Sequence, residues 1–371
     1  MIKFDAVVDT GPATGAPLAV PDYLPRPVTG AGHGIALVGC GGISALHLAA
    51  YRRAGYPVKV LCDHTYARAL TRRDEYFPQA RVTTAVTDVL ADPAIDIVDL
   101  ATHVRGRAEL ISASLRAGKH VLSQKPFVQN LAEGEALIAL AAETGRTLAV
   151  NHNGRWAPHF AAALTSVERG DIGAVTSADF SVYWPHDAIV ESDPAFATMT
   201  DLILYDFGIH WFDLVAQLMR DAGRAFRVYA ATFTRKGSRI EVPTDADVIV
   251  EFEHGHAALR FRGSAERSES GSYRIEGTRG TISHCGLSLG GDTVDFQTAN
   301  GNRLLQLEGD WWSNGMTGTM AELIAAVDEQ RPARHDARTA LAGTALCFAA
   351  LRSVRDHQPV DPALVRAMPT P

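Results

Sequence analysis

The sequence predicts an α/β protein in which a doubly wound parallel sheet precedes an α+β part with an open, mainly antiparallel sheet. In the first half, short apolar runs without alternation are separated by helical stretches, which is typical of strands buried on both faces of a parallel sheet. In the second half, several strand-like runs follow one another across short turns. The 371 residues exceed what one core usually serves, so we expect two domains.

The composition is that of an ordinary globular protein, with 46% hydrophobic and 21% charged residues. The formal net charge of -7 makes nucleic acid an unfavourable partner. Four cysteines are too few for a disulfide scaffold, so we expect reduced thiols in a cytoplasmic protein. No apolar run approaches the roughly 20 residues of a membrane helix, and no secretory signal is visible, which predicts a soluble chain.

Residues 1–32 are expected to form an extended arm, because they hold five prolines and four glycines. One interpretation is a strap over a neighbouring domain or subunit, and the other is a tail without contacts.

Residues 33–153 form the first domain, in which strands and helices alternate and imply βαβ units. A first helix is expected from the glycine-rich turn to about Ala54. The other expected strands and helices, in chain order, are strands 35–38, 58–62, 95–100, 120–123 and 148–150, and helices 67–76, 106–117 and 131–143.

Residues 154–371 form the second domain, for which we expect substrate binding and oligomerisation. A helix over 158–169 leads into a strand over 175–183, and a long helix is expected over 201–219. The remaining expected elements are strands 227–234, 247–253, 256–262, 273–276 and 281–285, and helices 315–329 and 337–356.

The strongest local motif is Gly39-Cys40-Gly41-Gly42-Ile43-Ser44, between a predicted strand and a predicted helix. Gly39 permits a tight turn, Gly41 lets a pyrophosphate approach the backbone, and the helix N-terminus favours the phosphate charge. Asp63 ends the next strand, 24 residues after Gly39, where a carboxylate accepts from a ribose 2′-hydroxyl and repels a 2′-phosphate. The alternative for Asp63 is a helix N-cap.

These features predict a Rossmann domain that binds NAD, while the nearby Arg68 and Arg72 keep NADP open. The residues expected at the dinucleotide are Gly39, Gly41, Gly42, Ile43, Ser44, Asp63, Thr102, His103, Gln124 and Lys125.

Lys125 ends a predicted buried strand at the carboxyl edge of the sheet, where open α/β sheets place their ligands. Pro126 favours an extended backbone at Lys125. A partly desolvated ammonium there is suited to exchange protons or to polarise a hydroxyl. The alternative is a solvated lysine in a loop.

Asp206 and His210 are four residues apart on the predicted long helix and therefore share a face, with Asp213 near it. A carboxylate beside an imidazole among apolar residues is costly unless it is satisfied or used. The imidazole is suited to take a hydroxyl proton, and the alternative is a structural histidine. No Cys/His cluster with zinc spacing accompanies the pair, so no metal is expected, and His254 and His256 flank a predicted turn.

Together these motifs resemble the Gfo/Idh/MocA oxidoreductases, the family of glucose–fructose oxidoreductase and inositol dehydrogenase, over residues 34 to 361. The resemblance also includes Asn153-Gly154-Arg155-Trp156-Ala157-Pro158 and Ile275-Glu276-Gly277-Thr278-Arg279-Gly280-Thr281-Ile282. It implies a nicotinamide cofactor, a sugar, cyclitol or polyol substrate, and a homodimer or homotetramer formed through the C-terminal sheet.

The resemblance also implies that Lys125, Asp206 and His210 are the catalytic residues and contact the substrate. Two departures stand out, because the family usually has Glu-Lys-Pro where Gln124 precedes Lys125 here, and often has Gly-Gly near the place of Thr200-Asp201.

We therefore expect an NAD(P)-dependent dehydrogenase with His210 as general acid/base, Asp206 orienting it or the substrate hydroxyl, and Lys125 polarising the reacting oxygen. Further candidates to line the sugar pocket are Arg155, Trp184 and His186, for which ordinary packing is the alternative. One rival hypothesis is a glycoside-cleaving enzyme that oxidises its substrate transiently. Another is a non-catalytic regulatory protein that senses NAD or a sugar.

Overall fold

In a computed structural model, the chain is described over residues 19–26, 32–192, 196, 199, 201–236, 238, 240–265, 269–286, 293–298 and 301–369. Thr200 of the second departure lies outside these residues, as do residues 1–18 and 27–31 of the arm. The described chain forms a six-stranded and an eight-stranded sheet. No described helix is long and apolar enough to cross a membrane.

The first sheet is wholly parallel, with strand order β3-β2-β1-β4-β5-β6, which confirms the doubly wound fold. Its strands are β1 (Ile35–Val38), β2 (Val58–Cys62), β3 (Arg81–Thr83), β4 (Ile97–Leu100), β5 (His120–Gln124) and β6 (Leu148–Asn151). Its helices are α1 (Ser44–Ala54), α2 (Tyr66–Tyr76), α3 (Val86–Ala91), α4 (Arg107–Arg116) and α5 (Leu131–Thr144). The sequence did not predict β3 and α3. These elements are only three and six residues long, and Val89 is their one fully buried apolar side chain, so they give little periodicity.

The second sheet has strand order β14-β13-β12-β11-β7-β10-β9-β8 and is antiparallel except where β7 and β10 pair in parallel. Its strands are β7 (Val175–Tyr183), β8 (Ala225–Phe233), β9 (Asp245–Phe252), β10 (Gly255–Arg262), β11 (Ser270–Gly277), β12 (Gly280–Gly286), β13 (Thr293–Thr298) and β14 (Gly301–Gln306). The last two were not predicted, although Val294 and Phe296 alternate with polar residues and are buried.

Among the described residues, this half also contains five α-helices, a π-helix over Leu202–Phe207 and short 3-10 turns over Asn153–Trp156 and Pro362–Leu364. The helices are α6 (Pro158–Glu168), α7 (Asp187–Ser192), α8 (Ile209–Leu218), α9 (Trp311–Asp328) and α10 (Ala337–Asp356). Helix α9 packs against α1, and α10 packs against both α5 and α8. The C-terminal helices therefore tie the two sheets together. Residues of the two halves meet around Lys125, Asp206 and His210, a region that we call the cleft.

The long helix expected over 201–219 is interrupted. A π-helix, Leu202–Phe207, precedes α8, and the Gly208 N–H donates to the Ile203 carbonyl at 2.9 Å, five residues back. A Cβ at Gly208 would lie 2.8 Å from that carbonyl oxygen, so only glycine fits this wide turn. The expected i, i+4 relation of Asp206 and His210 is therefore lost, since the two residues lie on different helical segments.

Part of the N-terminal arm lies along the second half of the same chain. Arg169 Nη2 donates to the Ala19 carbonyl at 2.9 Å, and Thr165 Oγ1 donates to the Asp22 carbonyl at 2.9 Å. The Tyr23 ring packs against the core of the eight-stranded sheet. These contacts favour the strap interpretation for residues 19–26.

Candidate active site

The turn after β1 has the geometry of a dinucleotide cradle. Gly39 has φ +96°, and a Cβ there would lie 2.8 Å from the Ala101 carbonyl oxygen. A Cβ at Gly41 or Gly42 would meet nothing within 4 Å, so the loop is open on its outer side. The first turn of α1 has no side-chain cap and no acidic residue, so no carboxylate there opposes the attraction of its dipole for a pyrophosphate. The loop therefore fits a nicotinamide dinucleotide.

Asp63 lies at the carboxyl end of β2, where the ribose is expected, and is almost fully buried. Its Oδ2 accepts from the Cys40 N–H at 2.7 Å, and its Oδ1 accepts from the Thr65 N–H at 2.8 Å. The residue at the N-cap position of α2 is Thr65, so Asp63 is not the N-cap that the alternative supposed. The carboxylate instead ties the glycine loop to the start of α2.

A guanidinium lies across the same loop. Arg72 Nε donates to Ser44 Oγ at 3.1 Å, and its Nη2 donates to the Gly41 carbonyl at 3.3 Å. This cation lies beside the expected ribose position, which keeps a 2′-phosphate compatible with the site. Both Thr102 and His103 lie in the loop after β4, with His103 exposed and the Thr102 carbonyl accepting from Arg107.

Lys125 immediately follows β5 at the carboxyl edge of the first sheet. Its Nζ donates to the Asp206 carbonyl at 2.7 Å and lies 3.1 Å from Asp206 Oδ1. The buried Arg107 donates to the Pro126 carbonyl, and burial lowers the pKa of this guanidinium to about 10. The ammonium is thus held at one place in the cleft, and Asp206 contacts Lys125 rather than His210.

His210 is buried at the start of α8, with Trp311 and His152 edge-on to its ring at centroid distances of 5.5 and 6.5 Å. Burial holds the pKa of His210 well below its usual value, and the charge of Lys125 lowers it further. The imidazole is therefore neutral near pH 7, and one of its ring nitrogens carries a lone pair. Its Nδ1 makes no hydrogen bond to any described residue.

Arg155 was expected at the sugar and is found in a different role. Its Nε and Nη2 donate to Asp213 at 2.7 and 2.5 Å, and its Nη1 donates to the Arg334 carbonyl at 2.7 Å. The pair is buried, so the guanidinium is fully engaged inside the protein. This geometry favours the packing alternative for Arg155. It also shows that Asp213 pairs with Arg155, whereas Asp206 pairs with Lys125.

Trp184 and His186 follow β7 and lie close to the Asp206 segment. The His186 ring lies 4.6 Å from the Phe207 ring, and burial lowers the pKa of this histidine to about 4. Neither ring nitrogen of His186, nor the Trp184 indole nitrogen, has a hydrogen-bond partner among the described residues. Buried polar atoms of this kind normally find a partner, so these residues fit contacts with a polar ligand.

His152 was missed in the sequence analysis. It directly follows β6, its Nε2 lies 3.8 Å from Asp213 Oδ1, and burial lowers its pKa to about 4. Its position one residue beyond a strand end, at the edge that holds Lys125, was a signal available in the sequence.

Two family profiles match the chain. One, described as an oxidoreductase family with an NAD-binding Rossmann fold, covers residues 33–152, and the other, the GFO/IDH/MocA C-terminal domain, covers residues 160–283. Together they cover about two thirds of the chain. The chain belongs to the Gfo/Idh/MocA family. It is therefore an oxidoreductase with an NAD-binding Rossmann domain, as the glycine loop predicted.

Among curated relatives of this Gfo/Idh/MocA protein, D-apiose dehydrogenase of Paraburkholderia graminis is 28% identical over 253 residues, which span 67% of this chain and 66% of that relative. An oxidoreductase from Agrobacterium radiobacter, solved with NAD+, L-tartaric acid and magnesium, aligns with TM-score 0.78 and 21% identity over 90% of this chain and 99% of that one. Levoglucosan dehydrogenase, solved with NADH and levoglucosan, aligns with TM-score 0.76 and 19% identity over 89% and 99%. The two solved structures share its fold.

Among the described residues, no group of three or more His, Cys, Asp or Glu side chains is arranged to hold a metal ion.

Proposed function

We propose that this protein is an NAD(P)-dependent dehydrogenase acting on a secondary alcohol or ketone of a sugar, cyclitol or related polyol. The proposal is supported by a held ammonium, Lys125, at the carboxyl edge of the Rossmann sheet, close enough to the neutral imidazole of His210 to lower its pKa. The similarity to D-apiose dehydrogenase supports a carbohydrate substrate. The same pair of residues argues against the non-catalytic alternative.

In this proposal the neutral imidazole of His210 accepts the hydroxyl proton of the substrate. Lys125 donates a hydrogen bond to the reacting oxygen and stabilises its developing negative charge. Asp206 holds Lys125 in place through its carbonyl and carboxylate. A nicotinamide dinucleotide held at the glycine loop, Gly39 to Ser44, would supply the acceptor for the hydride of the carbinol carbon. In the reverse direction, His210 returns the proton to the oxygen of the ketone.

The substrate contacts that we propose come from the end of β7. The unpartnered nitrogens of Trp184 and His186 offer hydrogen bonds to hydroxyl groups, and the indole offers an apolar face to a sugar ring. Arg155 is not included, because Asp213 and Arg334 engage it.

The test is to assay Lys125→Met and His210→Asn with a polyol panel at the NADH absorbance band, with dinucleotide binding measured separately by titration. Both variants should bind the cofactor and lose most turnover. Lys119→Met is the matched control, since this buried lysine donates only to the carbonyls of Asp92 and Ile95, near the opposite ends of the strands. Full turnover in both active-site variants would contradict the proposal.

We further propose NAD as the preferred cofactor, with NADP accommodated beside Arg72, and a cytoplasmic location. The support for NAD is the position of the Asp63 carboxylate at the end of β2, and the support for the location is that all four cysteines are free thiols. Comparing the dissociation constants of NAD(H) and NADP(H) tests the cofactor preference.

The outer face of the eight-stranded sheet is proposed as the contact of a homodimer or homotetramer. Tyr229 and Ile249 lie opposite one another on β8 and β9, and their side chains are 44% and 49% exposed. Ile249→Glu should shift the molar mass measured by light scattering towards that of the monomer. Leu364→Glu, at an exposed residue outside the sheet, is the control and should leave the mass unchanged.

A further inference from the structure

The glutamine that precedes the catalytic lysine belongs to a buried hydrogen-bond chain beneath the active site. Gln124 Oε1 accepts from the Lys125 backbone N–H at 2.8 Å, and this contact fixes which end of the amide faces inward. The inward Nε2 lies 3.4 Å from His47 Nε2. A side chain in contact with the Lys125 backbone is therefore anchored on a histidine of α1.

The protonation of His47 follows from its neighbours. Asn151, opposite Gln124 in the register of β5 and β6, also directs its amide nitrogen at His47 Nε2, at 3.2 Å. With two donors facing it, Nε2 is an acceptor, so the ring proton lies on Nδ1. Nδ1 lies 2.8 Å from Asp99 Oδ2 and donates to it.

Asp99 anchors the inner end of the chain. It lies within β4 and is completely buried, and its Oδ2 also accepts from the Tyr51 hydroxyl at 2.8 Å. Tyr51 is one helical turn after His47 on α1, so a single helix face supplies both donors to this carboxylate. A buried carboxylate is costly without such donors, which fixes the orientation of the imidazole.

We propose that His47 and Asp99 are positioning residues for the catalytic lysine, which act by holding Gln124 in the rotamer that fixes the Lys125 backbone. The proposal rests on the proposed function, because it presupposes that Lys125 is catalytic. It also gives the departure from Glu-Lys-Pro a physical reason. A glutamate at position 124 would direct a carboxylate oxygen at the lone pair of His47 Nε2, whereas the glutamine directs an N–H there.

The first test is a double-variant cycle with His47→Asn and Gln124→Ala. Asparagine can still donate to Asp99 from near the position of Nδ1 but has no atom at the position of Nε2, so it removes the links to Gln124 and Asn151 and keeps the one to Asp99. Each single variant should lower kcat by about 10- to 100-fold through a displaced Lys125, with the KM for the dinucleotide little changed. The double variant should be no worse than the poorer single variant.

Tyr51→Phe is the matched control, because it removes the other donor to Asp99 without touching Gln124. It should lower the melting temperature and leave kcat within about twofold of the wild type, because the bond from His47 Nδ1 to Asp99, which orients the imidazole, is kept. The proposal is overturned if the losses from His47→Asn and Gln124→Ala multiply, or if Tyr51→Phe lowers kcat as much as His47→Asn does.

The second test leaves His47 unchanged and so remains decisive if His47→Asn is unstable. In Gln124→Glu, a carboxylate oxygen replaces the N–H that faces the lone pair of His47 Nε2, so the side chain loses this anchor while keeping its size. Gln124→Glu should therefore lower kcat about as much as Gln124→Ala does, with the KM for the dinucleotide little changed. Wild-type kcat in Gln124→Glu would overturn the proposal.

Among the described residues, the titratable groups in contact with His47 are Asp99 and Tyr51. Lys125 contacts Asp206 and interacts electrostatically with His210 at the cleft. The Lys125→Met variant distinguishes a failure of the proposed function from a failure of the positioning proposal. If that variant keeps its turnover, the proposed function fails; if it is inactive while His47→Asn has wild-type kinetics, only the positioning proposal fails.

Discussion

Buried histidines in two regions of the molecule differ in how their ring nitrogens are satisfied. Beneath the first sheet edge, both nitrogens of His47 have hydrogen-bond partners on other elements. In the cleft, both nitrogens of His152 and His186 and the Nδ1 of His210 have none among the described residues. Since burying an unsatisfied polar group is costly, we interpret the difference as one between a histidine that holds the fold and histidines that are available to the proposed substrate.

The comparison also explains the neutral imidazoles of the cleft. Burial lowers the pKa of His152 and His186 to about 4 and holds that of His210 well below its usual value, while Lys125 supplies the nearby positive charge. A cleft with one held cation and several neutral, unpartnered rings suits a ligand rich in hydroxyl groups.

The largest expected effect comes from removing the proton acceptor of the cleft. His210→Asn should lower kcat by about 10²- to 10⁴-fold, because the substrate hydroxyl loses its general base. Its melting temperature should stay close to that of the wild type, since the Nδ1 of His210 makes no hydrogen bond to the described residues. Steady-state kinetics measure kcat, and a thermal melt measures the stability. A large loss of stability with normal kcat would mean that His210 holds the fold, as His47 does, and is not the general base.

The second prediction concerns the cluster beside the cleft that is fully paired. Arg155→Met leaves the buried Asp213 carboxylate without its two guanidinium hydrogen bonds, so the free energy of unfolding should fall by about 3–5 kcal/mol. Urea unfolding measures the loss. Arg334→Met is the matched control: its guanidinium pairs with Glu168 at the surface, and its removal should cost less than about 1 kcal/mol.

The third prediction uses the titration of the unpartnered histidines. Because the pKa of His152 is about 4 in the folded protein and roughly 6.5 in an unfolded chain, the unfolded state binds more protons between these values. Stability should therefore be complete above about pH 6.5 and decline as the pH falls towards 4, by about 3 kcal/mol from this residue. Urea unfolding at pH 7 and pH 5 should show a smaller difference in His152→Asn than in the wild type, and an unchanged difference would contradict the assignment.

The sequence predicted most elements of the fold because their signals are local. The unalternating runs of β1 and β5 and the long amphipathic helix α10 lie within a few residues of their expected bounds. The π-helix before Gly208 was missed because its residues have the apolar pattern of an ordinary helix, and only the contact with the Ile203 carbonyl reveals the wider turn.

The candidate site was predictable where one residue marks a strand end, as Lys125 does. The partners of its side chains were not, because they lie far apart in sequence: 58 residues separate Arg155 from Asp213, and 77 separate His47 from Gln124. Such pairs depend on the register of strands and the packing of helices, which no local pattern encodes.

The smallest expected effect concerns Arg72, whose contacts resemble neither region because its side chain is partly exposed over an open loop. Its bonds to Ser44 and the Gly41 carbonyl place a cation where a 2′-phosphate would add a charged partner. Arg72→Ala should weaken NADP(H) binding about five- to tenfold and NAD(H) binding no more than about twofold, because a partly exposed ion pair contributes about 1 kcal/mol. Fluorescence titration at fixed ionic strength measures both, with Arg73→Ala, whose guanidinium pairs with Asp74, as the control on the same helix. Equal losses for the two cofactors would show that Arg72 supports the glycine loop rather than a 2′-phosphate.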